Sequence, residues 1–303
     1  MKKKLLFSLM VCSLYANEQT NYIELGFGQI KEKDNFSVES EKSISSLNKT
    51  TSETKTIPYL GFFLTYNLTE NSSIYLNSEV GDFNLGSQIN TNYGLFDFGL
   101  TTNLYEEAWE NPYLTNEKRE KTKVKKNGVY FTYGNSLFPA HEFLISHKFR
   151  QIDYDKDTLS KELKREAKEH TISIDNNFAS NIKGLPLNYL TNISYKIYDA
   201  EGKASSYKKT TLAVGAHLEI YKRFDLTLLS TFSKKEYEEH NRFVNKKVNS
   251  EIYGLISTFR WNEPFNYRNT YLSIKNGFIK EKANANFFDK ENSFALISIG
   301  YKF

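Results

Sequence analysis

Apolar and polar residues alternate one by one along much of the chain, in segments of about ten residues. Successive side chains of a β-strand point to opposite faces, so each segment predicts a strand with one apolar and one more polar face. The alternation is clearest in 60–68, 96–104, 211–220, 224–232 and 295–303. Weaker alternation marks 22–30, 73–80, 84–91, 128–135, 142–154, 170–178, 187–198, 250–261 and 268–279. These fourteen segments indicate an all-β protein.

The connections between the predicted strands alternate between long and short. Outer-membrane barrels have short periplasmic turns, longer outer loops and an even number of strands. Gly81 and Asp82 form a tight turn that splits 73–91 into two strands, since a single strand there would make the count odd. We therefore predict an antiparallel transmembrane β-barrel of about 14 strands, within a range of roughly 12–16. The long connections are 31–56, 105–127, 155–169 and 237–249.

The long loops are strongly charged. The segment 155–169 predicts a solvated surface loop, with a short helix as the alternative. The segment 31–56 has almost no large apolar residues, so we expect it to be mobile.

The first sixteen residues have the pattern of a secretory signal peptide. Lys2, Lys3 and Lys4 precede an apolar run from 5 to 14, which is too short to span a bilayer, and Ala16 closes the segment. We expect cleavage after Ala16, which leaves 17–303 as a single barrel domain exported through the periplasm to the outer membrane. A short buried helix is one alternative. A lipoprotein anchor at Cys12 is another, which the bulky residue at position 11 disfavours.

The amino-acid composition disfavours or excludes several kinds of partner, site and structure. Removal of 1–16 leaves 37 basic against 36 acidic residues, so bulk charge does not favour nucleic acid as a partner. It also removes the single cysteine, which excludes disulfides and thiolate metal sites. No later stretch reaches eighteen apolar residues, and this excludes transmembrane helices but not a barrel, in which only alternate residues meet lipid. The 15% aromatic content suits the aromatic girdles of such a barrel.

The last predicted strand carries a candidate assembly signal. Apolar residues occupy every second position up to the final residue, ending in Ile299, Tyr301 and Phe303. This resembles the terminal strand of outer-membrane proteins, which the barrel-assembly machinery recognises. The partners that follow are this machinery, outer-membrane lipid and lipopolysaccharide, while the oligomeric state stays open.

Three short segments resemble a family of uncharacterised Gram-negative outer-membrane proteins that is known as a domain of unknown function. They are Trp109-Glu110-Asn111-Pro112-Tyr113-Leu114-Thr115 followed by Arg119, the early Ile44-Ser45-Ser46-Leu47-Asn48, and the final Gly300-Tyr301-Lys302-Phe303. The resemblance implies a porin-like barrel without an established substrate. It supplies no catalytic residues.

Charged residues of both signs fall on the predicted lumen face, because a charge facing lipid near the midplane costs roughly 2–4 kcal/mol. One interpretation is a packed interior in which the charges neutralise one another, and the other is a wet channel with a weakly selective lining. The candidate lumen-lining residues are Lys148, Arg150, Lys196, His217, Glu219 and Arg260. Further lumen charges are Lys275 and Lys302 against Glu24, Glu79, Asp97, Asp175 and Asp225.

We find no sequence motif for catalysis or cofactor binding. The five histidines are not at metal-ligand spacing on a helix, and His141 and His147 lie six residues apart in one predicted strand. No G-x-S-x-G motif is present. We therefore predict no catalytic residues, metal or cofactor. The predicted function is a porin-like channel for small polar solutes. The alternatives are a structural or adhesive barrel that presents its charged loops and, less favoured, a membrane enzyme.

Overall fold

The computed structural model describes residues 21–303 except 49, 51, 80, 104–105, 183 and 222, together with the backbone but not the side chain of Glu79. The predicted signal peptide and its cleavage after Ala16 lie outside the described residues. No helix among the described residues is long and apolar enough to cross a membrane.

The described residues form one antiparallel sheet of fifteen strand segments. The segments are β1 (Tyr22–Lys33), β2 (Ser52–Thr69), β3 (Ser72–Glu79), β4 (Asp82–Thr91), β5 (Gly94–Asn103), β6 (Glu106–Trp109), β7 (Lys121–Asn135), β8 (His141–Tyr154), β9 (Ala167–Ile182), β10 (Leu185–Ala200), β11 (Tyr207–Ile220), β12 (Phe224–Asn241), β13 (Lys246–Asn262), β14 (Thr270–Ala283) and β15 (Lys290–Lys302). Single 3-10 turns lie at Lys161–Leu163, Pro264–Asn266 and Asn286–Phe288.

The sheet closes into a barrel because β1 pairs along its whole length with β15. Strands β5 and β6 both pair with β7, so the two segments occupy one position in the wall. The barrel therefore has fourteen strand positions, and the predicted count is confirmed. The predicted division of 73–91 is also confirmed, since β3 and β4 form a hairpin around Gly81, whose φ is +92°.

The two ends of the barrel differ. The first and the last described residues lie at one end, where the backbone N–H of Phe303 donates to the carbonyl of Asn21 at 2.9 Å. We call it the turn end, since most of its connections are short, and the opposite end the loop end. The strands near the loop end are longer than predicted, which shortens the loops there to 34–51, 110–120, 155–166, 201–206, 242–245 and 284–289.

The outer face carries an apolar band that runs around the whole barrel. Its residues include Leu25, Leu60, Leu100, Ile193, Val214, Leu255 and Ile297, all more than a third exposed. Outward-facing charges begin toward the loop end, for example at Lys31, Lys208 and Lys280. Exposed aromatic residues stand on the turns, including Tyr93, Tyr221 and Phe265. An apolar ring with aromatic residues at its edge is what a barrel in a bilayer requires.

The predicted assembly signal lies on this outer face. Ile299 and Tyr301 are about half exposed, and the Tyr301 ring stacks on Phe303 with centroids 6.2 Å apart. These side chains lie outside the barrel interior, so packing inside the barrel does not account for them. Their recognition by the barrel-assembly machinery stays a prediction.

Deleting Phe303 is expected to slow insertion and to leave protease-sensitive protein in the periplasm, because the exposed terminal aromatic is the predicted recognition feature. Surface levels measured by immunoblotting of outer-membrane fractions test this. The matched control is Phe303→Tyr, which keeps the aromatic ring and should assemble normally. Normal levels of the deletion variant would contradict the assigned signal.

Candidate functional site

The loop end of the barrel is covered by a hydrophobic cluster, which we call the cap. All six loops at this end, but not the short Gly81 turn, contribute apolar side chains to it. The buried members are Ile44, Tyr113, Leu159, Leu163, Ala204, Val248, Ala283, Ala285, Phe287 and Phe288, and Phe36, Leu47, Tyr237, Phe243 and Val244 pack against them. The loops thus fold over the lumen.

The cap contradicts two expectations about the loops. The segment 155–169 was expected to be a solvated surface, but Leu159 and Leu163 are at most 5% exposed. The segment 31–56 was expected to be mobile, yet Asn35 and Ile44 are buried in the cap and its surroundings. Apolar residues this sparse give no periodic signal, and they become a core only when loops distant in sequence meet.

Tyr113 lies at the centre of the cap. Its ring stacks on Phe243 at a centroid distance of 4.5 Å and on Phe287 at 5.0 Å. The side-chain amide of Asn241 donates a hydrogen bond to its hydroxyl at 2.9 Å. Burial raises the pKa of Tyr113, so its phenol stays neutral. An aromatic ring held from three sides gives the cap a defined packing arrangement.

Arg119 ties loop 34–51 to loop 110–120. Its guanidinium is buried and donates to the carbonyls of Asn35 at 2.7 Å and Pro112 at 3.3 Å. It also donates to the Ser40 hydroxyl at 3.1 Å and to the carbonyl of Glu41. Burial lowers the pKa of Arg119 to about 10, which leaves the group charged at neutral pH.

Trp109 supports this arginine. Its ring lies 4.4 Å below the Arg119 guanidinium carbon, and its indole N–H donates to the carbonyl of Ser37 at 2.9 Å. A short bridge between Ile44 and Thr115 joins the same two loops. Two of the segments that carry the family resemblance therefore stabilise the cap by joining its loops. They are Trp109 to Thr115 with Arg119, and Ile44 to Asn48.

The barrel wall is lowest at the β3–β4 hairpin. On its β3 side, among the described residues, β2 pairs with β3 only from Phe62 onward, so 52–61 pair with β1 alone. Within the same described part, strand β6 pairs only with β7. The contacts between loops 34–51 and 110–120 cross this sector, where Asp82 stands at the hairpin tip.

A cavity of about 530 Å³ lies beneath the cap. Phe36, Tyr113 and Phe288 of the cap line it, and Gly81 and Asp82 line it at the low part of the wall. Seven basic and four acidic side chains face it, and two of the basic ones, Arg165 and Lys290, pair with Asp157 and Asp34 behind the lining. They are Lys126, Lys148, Arg150, Arg165, Lys196, Lys209 and Lys290 against Asp82, Glu106, Glu169 and Glu281.

Three of the predicted lumen residues meet in this cavity. Glu169 accepts hydrogen bonds from Arg150 at 2.6 Å and from Lys196 at 2.8 Å. Asp82 accepts from Arg150 at 3.0 Å and from Lys148 at 3.2 Å. The structure thus brings Lys148, Arg150 and Lys196 together through two shared carboxylates.

Sequence reasoning missed the carboxylates and several lysines of the cavity. Glu169 fell in a predicted loop and Asp82 in a predicted turn, while Lys209 preceded the predicted strand 211–220. A signal was present, because Tyr207 and Lys209 continue the inward-facing alternation of Thr211 and Ala213. Toward the loop end the strand continues, but its outward-facing residues are no longer apolar, so the alternation of apolar and polar residues ends before the strand does.

The other predicted lumen residues lie on the inner face nearer the turn end. His217 shares a hydrogen bond of 2.9 Å with Thr227, Glu219 lies opposite Asp225, and the Arg260 guanidinium lies 4.5 Å above the Tyr271 ring. The structure does not bring these three to the cavity cluster.

Part of this lower wall is packed, and three of its acidic side chains each have a hydrogen-bond partner. Glu24 is 2% exposed and forms a 3.0 Å ion pair with Lys275 and a 3.1 Å hydrogen bond with the Tyr271 hydroxyl. Asp97 is paired with Tyr75 at 2.8 Å, and Asp175 with Asn192 at 2.7 Å. Of the two remaining candidates, Lys302 lies 5.7 Å from the Tyr271 ring, and the side chain of Glu79 lies outside the described part of the chain.

The two histidines considered as a metal pair share the outer face of β8 but have separate partners. His141 is buried against Phe138 and Phe178 and lies 3.3 Å from the Asn176 side-chain oxygen, whereas His147 contacts His170 at 3.3 Å. Within the part of the chain that the structure describes, no group of three or more metal-ligating side chains occurs.

Comparisons with known proteins agree with the barrel. The profile of a family described as "Protein of unknown function (DUF2860)" matches residues 20–302. No curated protein matches the chain in sequence.

Similar folds occur among solved structures. A FadL homologue from Pseudomonas aeruginosa is 9% identical, with 94% of this chain and 91% of that chain covered and a TM-score of 0.50. The COG4313 outer membrane channel from Pseudomonas putida F1 is 10% identical over 98% and 100% of the two chains, with a TM-score of 0.49. OmpT, an outer membrane protein of Vibrio cholerae, is 8% identical over 93% and 96%, at 0.48. At 9% identity the similarity to the FadL homologue concerns the fold alone.

Proposed function

This chain belongs to the DUF2860 family of proteins of unknown function, and on that premise we propose that this outer-membrane barrel is a porin-like channel for small polar solutes. The observation that carries the proposal is the polar cavity of about 530 Å³ inside the closed wall. Its volume lies in the range of sites that hold one small molecule. A fourteen-strand barrel lies between small barrels filled by side chains and the wide porins.

The orientation of large inward-facing side chains is evidence for an open lumen, because they lie along the wall. The Tyr271 ring lies across Gly300, where a Cβ would come within 2.0 Å of it, and Tyr75 and Tyr130 lie across Gly86. Glycine at these positions lets the aromatic rings lie flat against the sheet. The rings then occupy less of the cross-section than rings pointing at the axis would.

The packing of the loops argues against the adhesive alternative. A barrel that presents its loops to a surface needs them exposed, whereas loops 34–51 and 110–120 bury Ile44, Tyr113 and Arg119 against one another. In the proposed channel the cap restricts access from the loop end. The loop end faces outward, the protein is exported through the periplasm, and its partners are the barrel-assembly machinery, lipid and lipopolysaccharide.

The purified, folded protein is expected to give discrete conductance steps in a planar bilayer, because the proposed channel carries ions past the cap and through the polar cavity. Heat-unfolded protein added at the same concentration is the control and should give none. A bilayer that stays sealed in the presence of protein with the far-UV circular dichroism of a β-barrel would refute the channel.

A further inference from the structure

Three inward-facing lysines stand directly opposite one another on adjacent strands. In the strand register, Lys196 of β10 faces Lys209 of β11, and Lys209 faces Lys235 of β12. Side chains opposite one another on neighbouring strands have Cβ atoms about 4.5–5.5 Å apart, and like charges at such positions repel. The repulsion within this row of three lysines therefore destabilises the folded protein.

The outer two lysines of the row have anionic partners and the central one does not. Lys196 pairs with Glu169 at 2.8 Å and Lys235 with Glu281 at 3.3 Å. Lys235 also lies 4.7 Å from the Tyr207 ring, beneath the tyrosines. Among the described residues, no carboxylate lies within ion-pair distance of Lys209, and both nearby carboxylates are already used. Lys209 lines the cavity without an ion pair of its own.

Hydroxyl and aromatic side chains frame the lysine row. On the turn-end side, Ser194, Thr211 and Ser233 form the next row in the same register, and the Thr211 and Ser233 hydroxyls are 2.9 Å apart. On the loop-end side, Tyr198 and Tyr207 stack with centroids 4.8 Å apart. The site thus has a cation, hydroxyl groups that donate or accept hydrogen bonds, and a rigid aromatic wall.

We propose that Lys209, with Lys196 and the hydroxyls of Ser194 and Thr211, binds a small hydroxylated organic anion through its carboxylate. The proposal rests on the channel function and names the solute class that the barrel takes. A carboxylate would relieve the repulsion in the lysine row and accept charge-assisted hydrogen bonds from it. Arg165 and Lys290 on the cavity lining are already paired with Asp157 and Asp34, so Lys209 is the lining cation that an anionic solute would meet without displacing an ion pair.

Isothermal titration of the detergent-solubilised full chain tests the site. The probes are D-glucuronate and D-glucose, which differ in the carboxylate at one end of otherwise similar rings. Wild-type protein is expected to bind glucuronate more tightly than glucose. Lys209→Gln is expected to weaken glucuronate binding by about tenfold or more, the loss of one charge-assisted hydrogen bond.

Lys208→Gln is the matched control, because it removes the same charge from the adjacent, outward-facing and exposed residue. It should leave glucuronate affinity unchanged. Lys209→Gln should also melt at a higher temperature than wild type without ligand, since it removes the like-charge repulsion. Equal affinities for the two sugars, or an unchanged affinity in Lys209→Gln, would overturn the site.

Measuring ion selectivity makes it possible to test the anion-binding site and the channel function separately. In a potassium chloride gradient, the reversal potential of wild type is expected to indicate preference for chloride, and Lys209→Gln should reduce that preference. If the protein conducts no current, the channel fails while the titration still decides the binding site. If it conducts but the titration shows no carboxylate preference, the binding site fails alone.

Discussion

Replacing Val214 with arginine is expected to destabilise the folded barrel by roughly 2–4 kcal/mol and to lower its level in the outer membrane. Val214 faces outward from β11, is 50% exposed, and lies between Thr191 and Ser230 in the register. In a bilayer this exposed surface meets hydrocarbon, where a guanidinium has no hydrogen-bond partners. Urea unfolding in lipid vesicles measures the free-energy change, and immunoblotting measures the level in cells.

Thr231→Arg is the matched control for Val214→Arg. Thr231 lies on the adjacent strand β12 and lines the cavity, so the same charge would enter a polar lumen. Its folding and membrane level should stay near those of wild type. Ala213 is the nearest inward neighbour but is only 5% exposed, so an arginine there would also clash with packed atoms. Equal effects of Val214→Arg and Thr231→Arg would contradict the lipid-facing assignment of β11.

Replacing Arg119 with alanine is expected to release the cap and to increase single-channel conductance or its open fraction. The substitution removes hydrogen bonds to the carbonyls of Asn35, Pro112 and Glu41 and leaves these acceptors without their buried donor. Each hydrogen bond to a charged group contributes roughly 1.5–3 kcal/mol. The link between loops 34–51 and 110–120 should therefore weaken by at least about 3 kcal/mol, while the strands remain paired.

Current recordings and limited proteolysis measure the release of the cap. Loops 34–51 and 110–120 should become cleavable in Arg119→Ala, whereas the barrel core should resist protease. Lys118→Ala is the control, since the Lys118 side chain is 66% exposed and pairs with Glu120 on the surface, an interaction that contributes little to stability. If Arg119→Ala gives wild-type currents although its loops are cleaved, the cap does not control access to the lumen.

The alternation of apolar and polar residues determined the architecture of this protein. A period of two assigns every residue of a strand to one face, so segments such as 211–220 and 295–303 define both the strands and their lipid-facing sides. Parity then placed a turn at Gly81, which the β3–β4 hairpin has. These features depend on local sequence, because a strand's facing is set by its own side chains and an outer-membrane barrel needs an even number of strands.

The cap was decided only by the tertiary structure. Strand β6 at Glu106–Trp109 lay inside a predicted loop, and Ile44, Tyr113 and Leu163 belong to three different loops. A single apolar residue in a polar loop gives no periodic signal. The Trp109 and Arg119 motif was visible in the sequence, but its task depends on loop 34–51 lying alongside loop 110–120.

The cavity was likewise decided by how the strands are aligned with one another. Alternation assigned Lys196 and Arg150 to the lumen face, but it did not determine at what height along the axis each one stands. Height depends on the register of each strand pair, which is set by turns and bulges around the barrel. Only that register places Glu169 between Arg150 and Lys196, and only it aligns Lys209 with lysines on both neighbouring strands. The sequence therefore determined which side chains face the lumen, and the closed sheet determined which of them meet.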